Sequence, residues 1–413
     1  MTEQHPSATT LAAVTDALAA RLPMGAGTVP IDWHGVWESA LAILVGVHDL
    51  LGEQLAAGSS RPLLDRSLLA VDVFVDADLH AGSVALGDTT SVVLRGGLVS
   101  VVTQFPKVVA QVTAPDRDPR PSEALLDALA DWIDRTASPA DKSAVAAFPP
   151  GAWTRSVRVL VPLCLAFVVC HELAHLYRAN AAEHAHDPGW AQASVVERTH
   201  ALEHEADAVG YDLLLTWAAA HHADPAAAGR LAYQAAWTVL LGCGLVEHVD
   251  RRLLPTTHPG SWPRIARLRA HVQEHHGDHT RVVDQLGPDV TMVANEALRR
   301  LGGRMREADA LLDDLLHRLR VGPAVPQDDA RAVVARAYDL SADATLRRVE
   351  AVFDRPAEDP DRSVRQALWD VLITTLPAGA WNSFSGRLAP TWLGAWDGPR
   401  RRARLGDAPE PTS

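Results

Sequence analysis

Cysteine is scarce. The 413 residues hold three, Cys164 and Cys170 in one apolar stretch and Cys243 in another. That rules out a disulfide framework and fits a reducing compartment, so a cytoplasmic protein is expected. The stretch from Met1 to Gly27 has no basic leader followed by an apolar core, so no signal peptide is expected either. Long apolar runs are also missing. Val159 to Cys170 ends at a charged motif, and Leu231 to Val246 is interrupted by Gln234 and two glycines. Both fall short of the roughly 20 residues that cross a bilayer, which points to buried core helices and no membrane span. Positive charge is in deficit as well: a net charge of -13 argues against nucleic acid or an anionic membrane surface as the main partner. There is no internal repeat.

What the chain does have is apolar mass, with 47% hydrophobic residues, enough for a sizeable core. Apolar residues at helical spacing predict helices over 8–22, 33–57, 98–112, 122–136 and 225–249, and further helices from 278 to 320, 329 to 353 and 362 to 375. Between them, Leu69 to Val75, Ser83 to Leu86 and Ser91 to Arg95 are short β-branched runs broken by Asp, Gly and Thr, which predicts an antiparallel hairpin or meander. The expected fold class is therefore mainly α with a small antiparallel β-sheet (α+β). The expected organisation is an N-terminal helical segment over 1–64, a core over 65–275, a helical accessory region over 276–396 able to gate a site or bind a regulatory partner, and a disordered tail over 397–413.

The stretch from Leu163 to Leu215 carries the chemistry. In His171-Glu172-Leu173-Ala174-His175, positions i and i+4 of a helix lie on one face, so His171 and His175 can offer two imidazole nitrogens to one metal ion. Glu172 between them can take a proton from a metal-activated water, which is the metalloprotease reading of HExxH. Further along, Glu203-His204-Glu205-Ala206-Asp207 offers a carboxylate at Glu203 and a second at Asp207, which can accept the spare ring N–H of a ligand histidine. His200, three residues before Glu203, would face the same site and support it. Three protein ligands leave one position open, as in a catalytic zinc. The competing structural reading is a buried helix whose imidazoles bond to backbone carbonyls. The histidines of 181–193 and of Glu274 to His279 read as a mobile polar loop and a solvated helix end.

These motifs, with Thr257-His258-Pro259 and Arg264-Ile265-x-x-Leu268, occur in an order that resembles the gluzincin zinc metallopeptidases, most closely the soluble part of the HtpX heat-shock protease and CAAX prenyl endopeptidase group. The similarity spans roughly residues 65 to 270 and implies a zincin-like core and Zn2+ as cofactor. It implies His171, His175 and Glu203 as zinc ligands, Glu172 as general base and Asp207 behind a ligand histidine. It further implies that His258 and Arg264 stabilise the reacting carbonyl, and that a peptide or protein substrate pairs with an edge strand around Ser83 to Arg95, at Ser91, Val92, Val93 and Leu94. The reading that competes with a peptidase is a catalytically silent relative acting as a regulatory or interaction module.

Overall fold

The computed structural model describes residues 33–57, 59, 63–74, 79, 81–86, 89–114, 121–137, 155–179, 184, 188–221, 224–249, 259–321, 325–353 and 362–377. The expected helix over 8–22, the link at 115–120, the loop at Pro149-Pro150-Gly151, His258 and the tail over 397–413 lie outside these residues. The order is α1 (Trp33–Ala56), β1 (Leu69–Phe74), β2 (Ala81–Leu86), β3 (Thr89–Arg95), α2 (Gly96–Val112), α3 (Glu123–Ala137) and α4 (Arg155–Tyr177). There follow the short α5 (Pro188–Gln192), then α6 (Val195–His221), α7 (Pro225–Val249) and α8 (Ser261–His276). Next come α9 (Arg281–Val321), α10 (Gln327–Leu340), α11 (Ala342–Phe353) and α12 (Arg362–Thr375). Among the described residues the chain divides into two compact units, one up to Leu301 and the other from Gly302 onward, a division that falls within α9.

In the first unit the α+β expectation holds, with one correction to the sheet. Its order is β1-β3-β2; β2 pairs antiparallel with β3, and β1 pairs parallel with it, Leu69 opposite Thr90. The strands alternate up, down, up, so inserting β3 between the other two makes a parallel neighbour of β1. Alternating hydrophobicity reveals strands but not which one takes the centre. β3 takes it with its apolar face turned inward, Val92 and Leu94 being buried. The outer edge of β1 is partly covered by α1, whose Trp37 indole N–H donates to the Val71 carbonyl at 2.7 Å. α1 is thus part of this unit rather than a separate segment.

α4 is the hub. α1, α2, α6, α7 and β2 all pack against it, and Cys164, Ala166, Val169, Cys170, Leu173 and Ala174 lose all exposure. By length and composition alone, Trp33–Ala56 and Val157–Tyr177 would suffice to cross a membrane, longer than the apolar runs in the sequence suggest. The second is 89% buried within the protein, as expected of a core helix whose surroundings are other helices.

α6 begins with a reciprocal cap. The Ser194 backbone N–H donates to Glu197 Oε2 at 2.8 Å, and the Glu197 backbone N–H donates to Ser194 Oγ at 3.2 Å, the S-x-x-E arrangement that satisfies two orphan donors at a helix start. In the second unit, Leu312, Leu315, Val334, Leu346 and Leu372 meet in one core. The single helix expected over 329–353 is two helices, because Ser341 is extended (φ -157°, ψ 112°) and its Oγ accepts the Ala344 N–H at 3.1 Å, starting α11.

Candidate metal centre

One turn of α4 separates His171 from His175, and their rings meet edge to face with centroids 4.7 Å apart. The two Nε2 atoms are 3.1 Å apart. His175 Nδ1 lies 3.0 Å from the Ala179 carbonyl, and His171 Nδ1 lies 3.1 Å from Asp207 Oδ1. With an oxygen acceptor close to each Nδ1, the two Nε2 atoms are left side by side as the free lone-pair donors when the rings are neutral. Glu203 on α6 completes the triangle, its carboxylate oxygens 3.6 Å from His171 Nε2 and 3.4 Å from His175 Nε2. Donors about 2.0–2.1 Å from a tetrahedral zinc stand roughly 3.3–3.4 Å from one another. The three separations bracket that edge. Two lone pairs facing each other at 3.1 Å repel unless a cation or proton lies between them, so these residues fit a metal ion.

Behind the triangle sits a buried salt bridge. Asp207, 1% exposed, receives Arg264 Nε at 2.8 Å and Nη2 at 2.6 Å, a bidentate pair. Arg264 Nη1 also approaches Glu203 Oε2 at 3.3 Å. The Arg264 guanidinium, expected to stabilise a reacting carbonyl, is thus paired with Asp207 and Glu203.

The electrostatics follow. Burial would raise Asp207, but the Arg264 charge and hydrogen bonds outweigh it and hold the carboxyl at about 2. Burial pushes the His171 imidazole down; Asp207 and Glu203 more than reverse it, and the group sits at about 10. Without a metal, the His171 proton and the Arg264 guanidinium balance the two carboxylates; a cation at the Nε2 atoms would take the place of that proton. Glu172, 3% exposed, is raised above the usual carboxylate value, chiefly by burial.

The sequence folds this way because α6 presents a single stripe to α4. Glu203, Ala206, Asp207 and Gly210 are all buried, at the i, i+3, i+4, i+7 spacing of one helix face. Gly210 sets the closeness: a Cβ there would stand 2.9 Å from both the Cα and the backbone N of His171. Only a glycine lets the helices approach enough for two carboxylates to reach the rings.

A cleft of about 360 Å³ opens over the cluster, with His171, Glu172, His175, Glu203 and Arg264 in its lining. Ala81, Gly82 and Ser83 of β2 form one side, while Leu98, Phe167, Val239 and Leu240 add apolar surface. The strand expected to be the substrate edge is not an edge. Ser91, Val92, Val93 and Leu94 belong to β3, whose backbone is paired on both sides, and Ser91 is fully buried with its Oγ donating to Asp72 at 2.7 Å. The edge facing the cleft is β2. On α6, Thr199 and Leu202 line the cleft, and His200 between them turns elsewhere. His184, read as part of a mobile loop, is anchored: it pairs with Glu205 at 2.7 Å and stacks on Trp190. A larger depression of about 840 Å³ lies over Trp237, Arg269 and Arg299, but its charges are already matched, Arg269 with Asp284 and Arg299 with Glu296.

Sequence reasoning missed the use made of Arg264 and the demand for glycine at position 210. The only signal for the first was the spacing of acids on α6, which leaves a buried carboxylate in need of a cation.

No curated protein and no solved structure matches the chain. A family model, Peptidase U49, matches residues 120–283, a span that holds α3 to α8 and so all the cluster residues above. That match supports a peptidase.

Proposed function

We propose that the chain is a zinc-dependent peptidase of the HExxH, gluzincin kind, with His171, His175 and Glu203 as ligands and Glu172 as general base. The observation that carries this reading is the pair of Nε2 atoms 3.1 Å apart with the Glu203 carboxylate against both, Oε1 at 3.4 Å from His175 and Oε2 at 3.6 Å from His171, beside a buried glutamate in a cleft. Bound there, zinc would supply Lewis acidity toward a carbonyl and lower the pKa of a water. Glu172 takes the proton of the attacking water and hands it to the leaving amine. Arg264 holds Asp207 and Glu203 in place, and Asp207 orients the His171 ring. The β2 edge at Ala81 to Ser83 offers an extended peptide main-chain pairing, with apolar residues such as Leu98, Phe167 and Leu240 for its side chains. Three buried free thiols suit a reducing compartment such as the cytoplasm.

The test is metal content and turnover together. His171→Ala and Glu203→Ala should each lose one equivalent of zinc relative to wild type, by elemental mass spectrometry, along with chelator-sensitive cleavage of an unfolded protein. Glu172→Gln should keep the metal of the parent and lose roughly a hundredfold to ten-thousandfold in kcat. A Glu172→Gln enzyme as fast as the parent, or full zinc content in His171→Ala, refutes the assignment.

A further inference from the structure

We infer that the chain holds a second divalent-cation site, formed by Asp212 of α6 with His271 and His276 of α8. His271 Nε2 lies 3.2 Å from Asp212 Oδ1, and His276 Nε2 lies 2.7 Å from the same oxygen. The three donor atoms are all within 4.8 Å of one another. Residues five apart on a regular helix are turned about 140° from each other and do not share a target. They do so here because the chain leaves the helix at His276 (φ -131°), ahead of Gly277 at φ 56°, and the second ring swings back to the same carboxylate. The ring is fixed in that position: His276 stacks on His279 at 5.7 Å, and His279 Nδ1 is 2.9 Å from the Tyr211 hydroxyl.

Two imidazoles and one carboxylate form a donor set for a borderline transition-metal ion such as Zn2+, Co2+ or Ni2+, whereas Ca2+ and Mg2+ take oxygen ligands. The side chains are 43%, 21% and 22% exposed for Asp212, His271 and His276, which leaves coordination positions open to water. Against the roughly 3.3 Å edge of a tetrahedral site, the His271–Asp212 separation of 3.2 Å already fits and the His276–Asp212 separation of 2.7 Å must widen by about 0.6 Å, for which a surface aspartate has room. A cation here pins the end of α8 to α6. α8 also carries Arg264, two turns before His271, so the ion steadies the helix whose guanidinium holds Asp207 and Glu203.

The experiment uses untagged full-length protein titrated with Co2+ alone, read by its visible absorption and by metal counting after dialysis. In a His171→Ala background one equivalent of cobalt should remain and raise Tm. Adding either His276→Gln or His271→Gln should remove both the equivalent and the Tm rise, while circular dichroism shows the fold retained. His171→Ala protein that binds no cobalt would reduce the cluster to ordinary ion pairs and overturn the proposal; so would a His171→Ala, His276→Gln protein that binds as much as His171→Ala alone. The outcome does not depend on the first centre: if only the second site bound metal, wild type would hold one equivalent that His276→Gln removes and His171→Ala spares.

Discussion

α6 carries two histidine-carboxylate clusters about a turn and a half apart, and they are built on opposite plans. At Glu203 and Asp207, the rings come from the core helix α4, the acids are buried, and a bidentate arginine supports them from behind. At Asp212, the rings come from the C-terminal end of α8, every member is partly exposed, and no buried guanidinium lies among the described partners. The donor types are alike. What differs is how far each donor is free to move: the first cluster is held in shape before a ligand arrives, and the second must close around one. Preorganisation of the first kind suits catalysis, where geometry has to be right at the moment of reaction, and adaptability of the second kind suits a clamp.

Several perturbations would break or sharpen that contrast. Arg264→Leu should do the most harm, because it strands Asp207 and Glu203 as buried, uncompensated charges at a cost of about 3–5 kcal/mol; urea unfolding at neutral pH measures it, and an unchanged midpoint would mean the salt bridge is not part of the support. Acid should act next on the same cluster. Asp207 has its folded-state pKa lowered to about 2, so its contribution is fully present above the unfolded value near 3.8 and is lost as pH falls through about 4 toward 2. An Asp207→Asn protein should lack that part of the acid transition. Gly210→Ala should follow, at about 1–3 kcal/mol for forcing a methyl against the His171 backbone, and should weaken zinc binding although no ligand is touched. Asp212→Asn in metal-free protein should be the mildest, within about 1 kcal/mol, since exposed pairs contribute little. If Asp212→Asn proved as damaging as Arg264→Leu, the distinction between the clusters would fail.

The legible parts of this molecule are those governed by short-range periodicity. His171 and His175 follow from a four-residue step on one helix, and so do Glu203 and Asp207; the structure brings all four together because each pair faces its partner helix. Most of the described helices are readable from apolar spacing; the exceptions are the short α5, inside a segment that reads as a loop, and the break at Ser341, where a serine reads as tolerable helix interior but acts as a cap. The illegible parts are long-range. Strand alternation cannot say that β3, rather than β2, is central, and so it cannot say which strand is left as an edge. Nothing local marks Gly210 as a contact with His171, or Arg264 as the partner of Asp207 across 57 positions. His276 was read as a solvated helix end because its turn back toward Asp212 depends on where the helix stops.

The placement of the HELAH turn has one more consequence. Cys170, Leu173 and Ala174 are wholly inaccessible and interleave with His171, Glu172 and His175 on a helix that five other elements rest against. The HELAH turn and the keystone of the first unit are therefore one object. No intermediate that has released this helix can retain the cluster, so the proposed cleavage should disappear in step with loss of tertiary structure, and an activity assay would double as a gauge of native protein.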